Sequence, residues 1–237
     1  MSDQREIIVE LFGAAMKYGS GPDVLRDIDL TLQAGSFHVL LGAGAAGKTS
    51  MLRMIAMTAA PSAGSMTVFG QDPATLDHAG RAALRRRIGV IFQDLRLLDH
   101  LSVRDNIALP LRIAEAPPDE IERSVDELLD WLRIGEASDR RPPELSMAER
   151  QLTAVARAVI GRPALLLADE PTASLDPART EQVLHLLLEL HRSGTAVLLA
   201  THDRNLLGAD PIPHLVIHDG RLWEPDPVVQ LMEGARA

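Results

Sequence analysis

The most constraining feature of the chain is the apolar run Phe37-His38-Val39-Leu40-Leu41, which passes directly into Gly42-Ala43-Gly44-Ala45-Ala46-Gly47-Lys48-Thr49 and then Ser50. The run has the length of a strand, and the residues after it satisfy Gly-x4-Gly-Lys-[Ser/Thr]. Small residues let successive backbone N–H groups turn inward on an anion. A helix opening at the end of the loop presents its positive pole to the same charge. In such a cradle Lys48 reaches the β- and γ-phosphates of a nucleotide, and the Thr49 hydroxyl ligates Mg²⁺. A strand before the loop and a helix after it place the chain in the α/β class.

Length fits this frame, since 237 residues suit one domain with a subdomain. The net charge of −9 and the 3% aromatic content argue against nucleic acid as a partner. The one basic cluster, Arg81, Arg85, Arg86 and Arg87, reads as a solvated helix face. Cysteine is absent, which removes disulfides and thiolate chemistry. The first residues are polar, without an apolar signal core, and no apolar run approaches the ~20 residues of a membrane span. Any role at a membrane is therefore expected to be peripheral.

Strand-like runs fall at residues 7–11, 37–41, 88–92, 165–168, 196–200 and 215–218. Several are continuously apolar, as in parallel strands buried on both faces. His218-Asp219-Gly220-Arg221 reads as a tight hairpin turn. Between residues 95 and 162 the pattern becomes helical. Pro117-Pro118-Asp119 opens one helix, with Ile121, Val125, Leu128, Leu129 and Leu132 at spacings of three and four. Another runs from about residue 148 to 160, after the break at Arg140-Arg141-Pro142-Pro143.

A second chemical element closes one of the apolar runs. Leu165-Leu166-Leu167-Ala168 ends in Asp169-Glu170-Pro171. Two carboxylates capping a buried strand are costly unless they hold a cation or orient a water. Asp169 suits a Mg²⁺ shell. Glu170 suits polarising the water that attacks a γ-phosphate.

With these two elements in place, the chain resembles the ATP-binding cassette (ABC) family over essentially its whole length. The resemblance implies a single domain over residues 1–237, of the P-loop NTPase cassette fold. Its parts would be a mostly parallel core sheet, an antiparallel β portion and an inserted helical subdomain at about 95–162. It implies ATP and Mg²⁺ as ligands. Tyr18, in Met16-Lys17-Tyr18-Gly19, matches the aromatic residue that stacks on adenine. Gln93, in Ile91-Phe92-Gln93-Asp94, matches the glutamine that reaches Mg²⁺ and senses a membrane partner. Leu145-Ser146 opens the signature region, Ser174-Leu175-Asp176 matches the D-loop, and His202 matches the switch histidine at the γ-phosphate. Two such domains, as homodimer or heterodimer, would sandwich two ATPs, each held by the cradle of one and the signature of the other. An integral membrane subunit would be the partner, with the chain on the cytoplasmic face of the inner membrane.

The chain departs from the family pattern at two places. The signature, usually Leu-Ser-Gly-Gly-Glu/Gln followed by Gln-Arg, here reads Leu145-Ser146-Met147-Ala148-Glu149-Arg150-Gln151-Leu152. Loss of both glycines, with Met147 in place of one, is expected to crowd the approach of this helix end to the opposing phosphate. In the cradle, Gly44-Ala45 stands where Ser-Gly is common. Intact nucleotide binding with weak hydrolysis is the resulting expectation.

The subfamily resemblance is to the FtsE cassettes of cell division. It rests on Tyr18-Gly19-Ser20-Gly21-Pro22, on Phe92-Gln93-Asp94-Leu95-Arg96-Leu97-Leu98-Asp99-His100-Leu101-Ser102, on Asp105-Asn106-Ile107-Ala108-Leu109-Pro110-Leu111, and on the lack of a C-terminal extension. It implies an FtsX-like membrane subunit and control of peptidoglycan hydrolysis. Much of the second stretch is shared with LolD and MacB cassettes, so an export or lipoprotein-release ATPase is the competing reading. A weakly hydrolysing nucleotide-binding scaffold is a third.

Overall fold

The computed structural model describes residues 6–203, 206 and 212–223; the first five polar residues lie outside this range. Two sheets carry the fold. Strands β1 (Ile7–Lys17), β2 (Asp23–Gln33) and β4 (Ala63–Val68) form an antiparallel sheet in the order β2-β1-β4. The other sheet runs β5-β6-β7-β3-β8-β9, from β3 (Phe37–Leu41), β5 (Ile88–Ile91), β6 (Leu165–Asp169), β7 (Ala196–Thr201), β8 (His214–His218) and β9 (Arg221–Trp223). All its pairings are parallel except β8 with β9, where Asp219 (φ 49°) and Gly220 (φ 73°) turn the hairpin. Six helices complete the described chain: α1 (Lys48–Ile55), α2 (His78–Arg86), α3 (Val103–Ile113), α4 (Pro118–Trp131), α5 (Met147–Val159) and α6 (Pro177–Arg192).

Side-chain alternation along the buried strands divides the core. Leu165 and Leu167 of β6 face one layer, with Leu40, Leu198, Ala200, the apolar side of α1 and the inner face of the antiparallel sheet. Leu166 and Ala168 face the other, with Val39, Leu41, Val197, Leu199 and residues of α3, α4, α5 and α6. A strand buried on both sides must be apolar at every position, which is why these runs lack polar alternation. The α3–α5 block, between β5 and β6 in the chain, shares this second core with the sheet.

Strands β2 and β4 were not among the runs expected from the sequence. Both keep a half-solvated face: β2 alternates buried and exposed from Ile28 to Gln33, and the first residues of β4, Ala63-Gly64-Ser65, are exposed. In the basic cluster Arg86 and Arg87 are exposed, Arg87 stacking on the Phe69 ring at 3.7 Å, while Arg81 and Arg85 are half-buried beside a groove with Met57, Pro61 and Met66.

The seating of α5 on the sheet depends on one close approach. A Cβ at Gly89 of β5 would lie 2.2 Å from the Ala158 carbonyl oxygen and 2.9 Å from Pro163 Cγ. The strand and helix backbones meet there with no room for a methyl group. Gly89→Ala is expected to cost about 1–3 kcal/mol through overpacking, read as a lower urea midpoint with an unchanged slope.

Candidate functional site

The site is assembled at the C-terminal ends of β3, β6 and β7. Since β7 lies between the other two, a loop after β3 and a turn after β6 face each other across its end. The loop from Gly42 to Gly47 leads into α1, whose first residue is Lys48. Gly47 takes φ 113°, a conformation that favours glycine, and a Cβ there would also press on Leu25 Cδ2 at 2.8 Å. Ala45 sits at φ 62°, the left-handed region, where a side chain is disfavoured. The loop keeps its turn at the cost of some strain, which is the physical content of the Ala45 departure.

Lys48 is buried and its ammonium donates to the carbonyls of Gly42 (2.6 Å) and Ala43 (3.4 Å). It also lies 3.9 Å from Glu170 Oε1. The Thr49 hydroxyl donates to Asp169 Oδ2 at 2.7 Å, joining the loop to the end of β6. The other oxygen of Asp169, Oδ1, is buried and has no hydrogen-bond partner among the described residues. Burial pushes the Asp169 carboxyl up, the Thr49 bond opposes this, and the neighbouring Glu170 charge adds to the rise. A desolvated carboxylate oxygen without a donor, beside a hydroxyl, is a hard-oxygen site that fits Mg²⁺.

Glu170 carries a positive φ of 50°, a strained backbone at the turn, and its N–H donates to the Ala200 carbonyl at 2.9 Å. Its Oε1 is 2.9 Å from His202 Nδ1 and its Oε2 accepts from Thr201 Oγ1 at 3.2 Å. One carboxylate therefore links the histidine after β7 to the lysine of the cradle. Tyr18, 47% exposed, has its hydroxyl 3.1 Å from Ser50 Oγ, which brings the ring beside the first turn of α1.

Three of the expected groups stand apart. Gln93 is exposed and makes no side-chain hydrogen bond among the described residues, although β5 pairs with β6 up to Ile91 and Ala168, just before Gln93 and Asp169. Asp176 caps α6, accepting from the Arg179 N–H at 3.0 Å. Ser146, Met147, Ala148 and Glu149 form the start of α5, closed by a capping box. The Ser146 hydroxyl donates to Glu149 Oε2 at 2.7 Å and accepts from the Glu149 N–H at 3.3 Å. The Ser146 hydroxyl and the Ser146 N–H, which donates to Glu149 Oε2 at 2.8 Å, hold the Glu149 carboxyl below its usual range, with Arg140 adding to the effect. Met147 is 56% exposed at this helix end.

Nothing in the sequence pattern singles out Gln151, which is buried and donates from Nε2 to the Pro171 carbonyl at 2.8 Å. It ties α5 to the Asp169-Glu170-Pro171 turn. Its one legible sign is a polar residue on the apolar side of a helix.

An α/β core with this cradle, facing a carboxylate pair and a histidine, defines the class of P-loop nucleotide-binding proteins. The ABC transporter family model matches residues 25–173, more than half of the 237 residues, and the chain belongs to that family. The cell division ATP-binding protein FtsE of Escherichia coli K12 is 41% identical over 205 residues, covering 86% of this chain and 92% of that one. The methionine import ATP-binding protein MetN 1 of Salmonella typhi is 38% identical over 208 residues, 87% of this chain, and MetN 2 of Burkholderia mallei 38% over 221 residues, 92% of it. The chain spans 61% and 56% of these two methionine-import relatives. In three dimensions it is similar to the dimeric bacterial ABC transporter cassette MJ0796, with TM-score 0.85 and 26% identity over 92% of this chain and 98% of that one. The post-hydrolysis dimer of the same cassette, bound to ADP and Pi, gives TM-score 0.84 and 27% identity over the same shares. The fold is that of the ABC cassette. No helix of the described residues is long and apolar enough to cross a membrane.

The buried, half-satisfied Asp169 gives a stability prediction. Its carboxyl is raised in the folded chain, so the folded state holds its proton to higher pH than the unfolded one. Without metal, stability should therefore fall as pH rises from the ordinary aspartate range through the raised value. Asp169→Asn is expected to raise the metal-free melting temperature at neutral pH by about 2–4 °C, for roughly 1 kcal/mol of relieved charge burial. The same variant should lose any Mg²⁺-dependent rise in melting temperature measured with ATP.

Proposed function

We propose that the chain is the ATP-binding and ATP-hydrolysing subunit of an ABC-type membrane complex, acting in the manner of FtsE. The observation that carries the reading is the Thr49–Asp169 bond with Asp169 Oδ1 left unpartnered, opposite the Lys48–Glu170–His202 chain. Backbone groups from Gly42 to Gly47 and the start of α1 take the phosphates, Lys48 turns from its own loop carbonyls to the β- and γ-phosphates, and Tyr18 stacks on adenine. Thr49, Asp169 and Gln93 would hold Mg²⁺, which would supply neutralisation of phosphate charge when bound. Glu170 accepts a proton from the attacking water, and His202 orients that carboxylate and contacts the γ-phosphate.

Pairing with a second cassette would place its phosphates against Ser146 and the α5 N-terminus of this chain, with Asp176 at the same interface. The likeness to dimeric cassettes supports that pairing. ATP would close the pair and hydrolysis reopen it, so that motion passes to an FtsX-like membrane subunit in cell division and peptidoglycan hydrolase control. The 41% identity to FtsE supports this over a transporter role; the 38% identity to the methionine import proteins supports the second reading, solute transport. The complex sits on the cytoplasmic face.

The altered signature makes hydrolysis weak while binding persists. ATP affinity in magnesium buffer is the first test, and its absence removes the assignment. Glu170→Gln is expected to bind ATP normally and to lower turnover by about 10²–10⁴-fold. The double variant Met147→Gly, Ala148→Gly is expected to raise turnover about tenfold; a fast wild type that the double variant does not exceed ends the weak-hydrolysis reading. Complementation of a cell-division defect by Glu170→Gln would mark a scaffold rather than a motor. Pull-down of a solute permease instead of an FtsX-like protein would favour the transporter.

A further inference from the structure

After β5 the chain makes an unusual turn. Leu95 (φ 55°) and Arg96 (φ 48°) are consecutive left-handed residues, and neither is glycine. Such a pair persists only where its surroundings impose it. Leu95 is buried, while Gln93, two residues earlier, stays exposed. The carbonyls of this turn point at α5, where Arg157 Nη2 donates to Leu95 O at 2.7 Å and Nη1 to Arg96 O at 2.8 Å. Nη1 is also 3.5 Å from Asn106 Oδ1.

Asn106 is fully buried and secures the following residues. Its Oδ1 accepts from the Leu98 N–H at 2.9 Å, and its Nδ2 donates to the carbonyls of Leu98 (3.1 Å), Leu101 (3.2 Å) and Ser102 (3.0 Å). The segment from residue 95 to 102 is thus fixed by side chains of α3 and α5. The partners of the Arg157 guanidinium are neutral oxygens, and burial lowers its pKa. A half-buried cation gains from those carbonyls, and the strained turn gains from the cation. A planar fork spans two successive carbonyls; an ammonium does not.

We propose that Arg157 is a positioning residue for Gln93, acting as a two-pronged clamp that holds the left-handed turn after β5 and so fixes where Gln93 leaves that strand end, next to the strand end that carries Asp169. The strand register puts Ile91 opposite Ala168, so Gln93 and the Asp169-Glu170 turn leave adjacent strand ends. The same helix begins at the signature residues, and its Gln151 holds Pro171. A shift of α5 therefore moves both sides of the candidate metal site together. The clamp rests on the assignment of Gln93 to that site.

Two measurements on the full chain test it. Hydrogen exchange without nucleotide should show the backbone amides of residues 94–98 exchanging about tenfold faster in Arg157→Met and in Arg157→Lys than in wild type. Binding of a fluorescent ATP analogue, titrated with Mg²⁺, should need about tenfold more metal in either variant, with metal-free affinity unchanged. Gln93→Ala should raise the Mg²⁺ requirement equally, and the double variant with Arg157→Lys should be no worse than either single. Wild-type exchange in Arg157→Lys overturns the clamp, because a charge alone would then suffice; so do additive effects in the double variant. If Arg157→Met fails to fold, the lysine variant carries the decision. A silent Gln93→Ala with faster exchange in the Arg157 variants would instead leave the clamp and remove the metal assignment of Gln93.

Discussion

The hydrogen bond from Thr49 to Asp169 joins residues 120 positions apart and fixes the geometry on which every other part of the site relies. It forms only because β3 and β6 flank β7 in a sheet whose strands all run in one direction there. Parallel strands bring their C-terminal ends to one edge, where loops converge and ligands are bound in open α/β sheets. The apolar runs that build those strands thus determine where the polar residues after them must meet. Burial of Leu40, Leu167 and Leu198 on one side and Leu41, Ala168 and Leu199 on the other makes the meeting rigid.

Rigidity is what allows the edge to carry unfavourable features. Asp169 Oδ1 has no donor, Glu170 and Ala45 adopt left-handed backbone, and Lys48 satisfies its charge with carbonyls of its own loop. Each is a local cost of about 1–3 kcal/mol that a free chain would relax away. Together they have one chemical sense. A phosphate group would complete the lysine, and a divalent cation would complete the aspartate.

The cradle and the carboxylate pair were legible in the sequence because each follows an apolar run at once, so strand placement fixes side-chain placement; the histidine stood out only through the family resemblance. The helices α4 and α5 were legible from spacing and from proline breaks. Strands β2 and β4 were not, since β2 mixes charge with alternation and β4 carries Gly64 and Ser65 at exposed positions. Gln151 and Arg157 were equally hidden. Their work is done on carbonyl oxygens of Pro171, Leu95 and Arg96, and a backbone acceptor leaves no mark in side-chain spacing. Polar residues on the inner side of a helix are the only trace such contacts leave.

The start of α5 contrasts with the cradle in the same chain. Its Ser146 hydroxyl is engaged twice with Glu149, and the carboxylate of Glu149 already faces the positive end of the helix. Met147 projects from the first turn where a bare backbone would permit close approach of an anion. On the proposed function, the chain would hold a triphosphate of its own and would offer a crowded helix end to one held by another subunit. If two copies paired, each composite site would then join this cradle to a crowded signature, and hydrolysis would be slow at both. If the chain instead pairs with a cassette that keeps its glycines, the site built on Lys48 and Glu170 of this chain is completed by the other subunit and works alone. The sequence departure at Met147 thus bears less on whether nucleotide is held than on which subunit must supply the second half of the site.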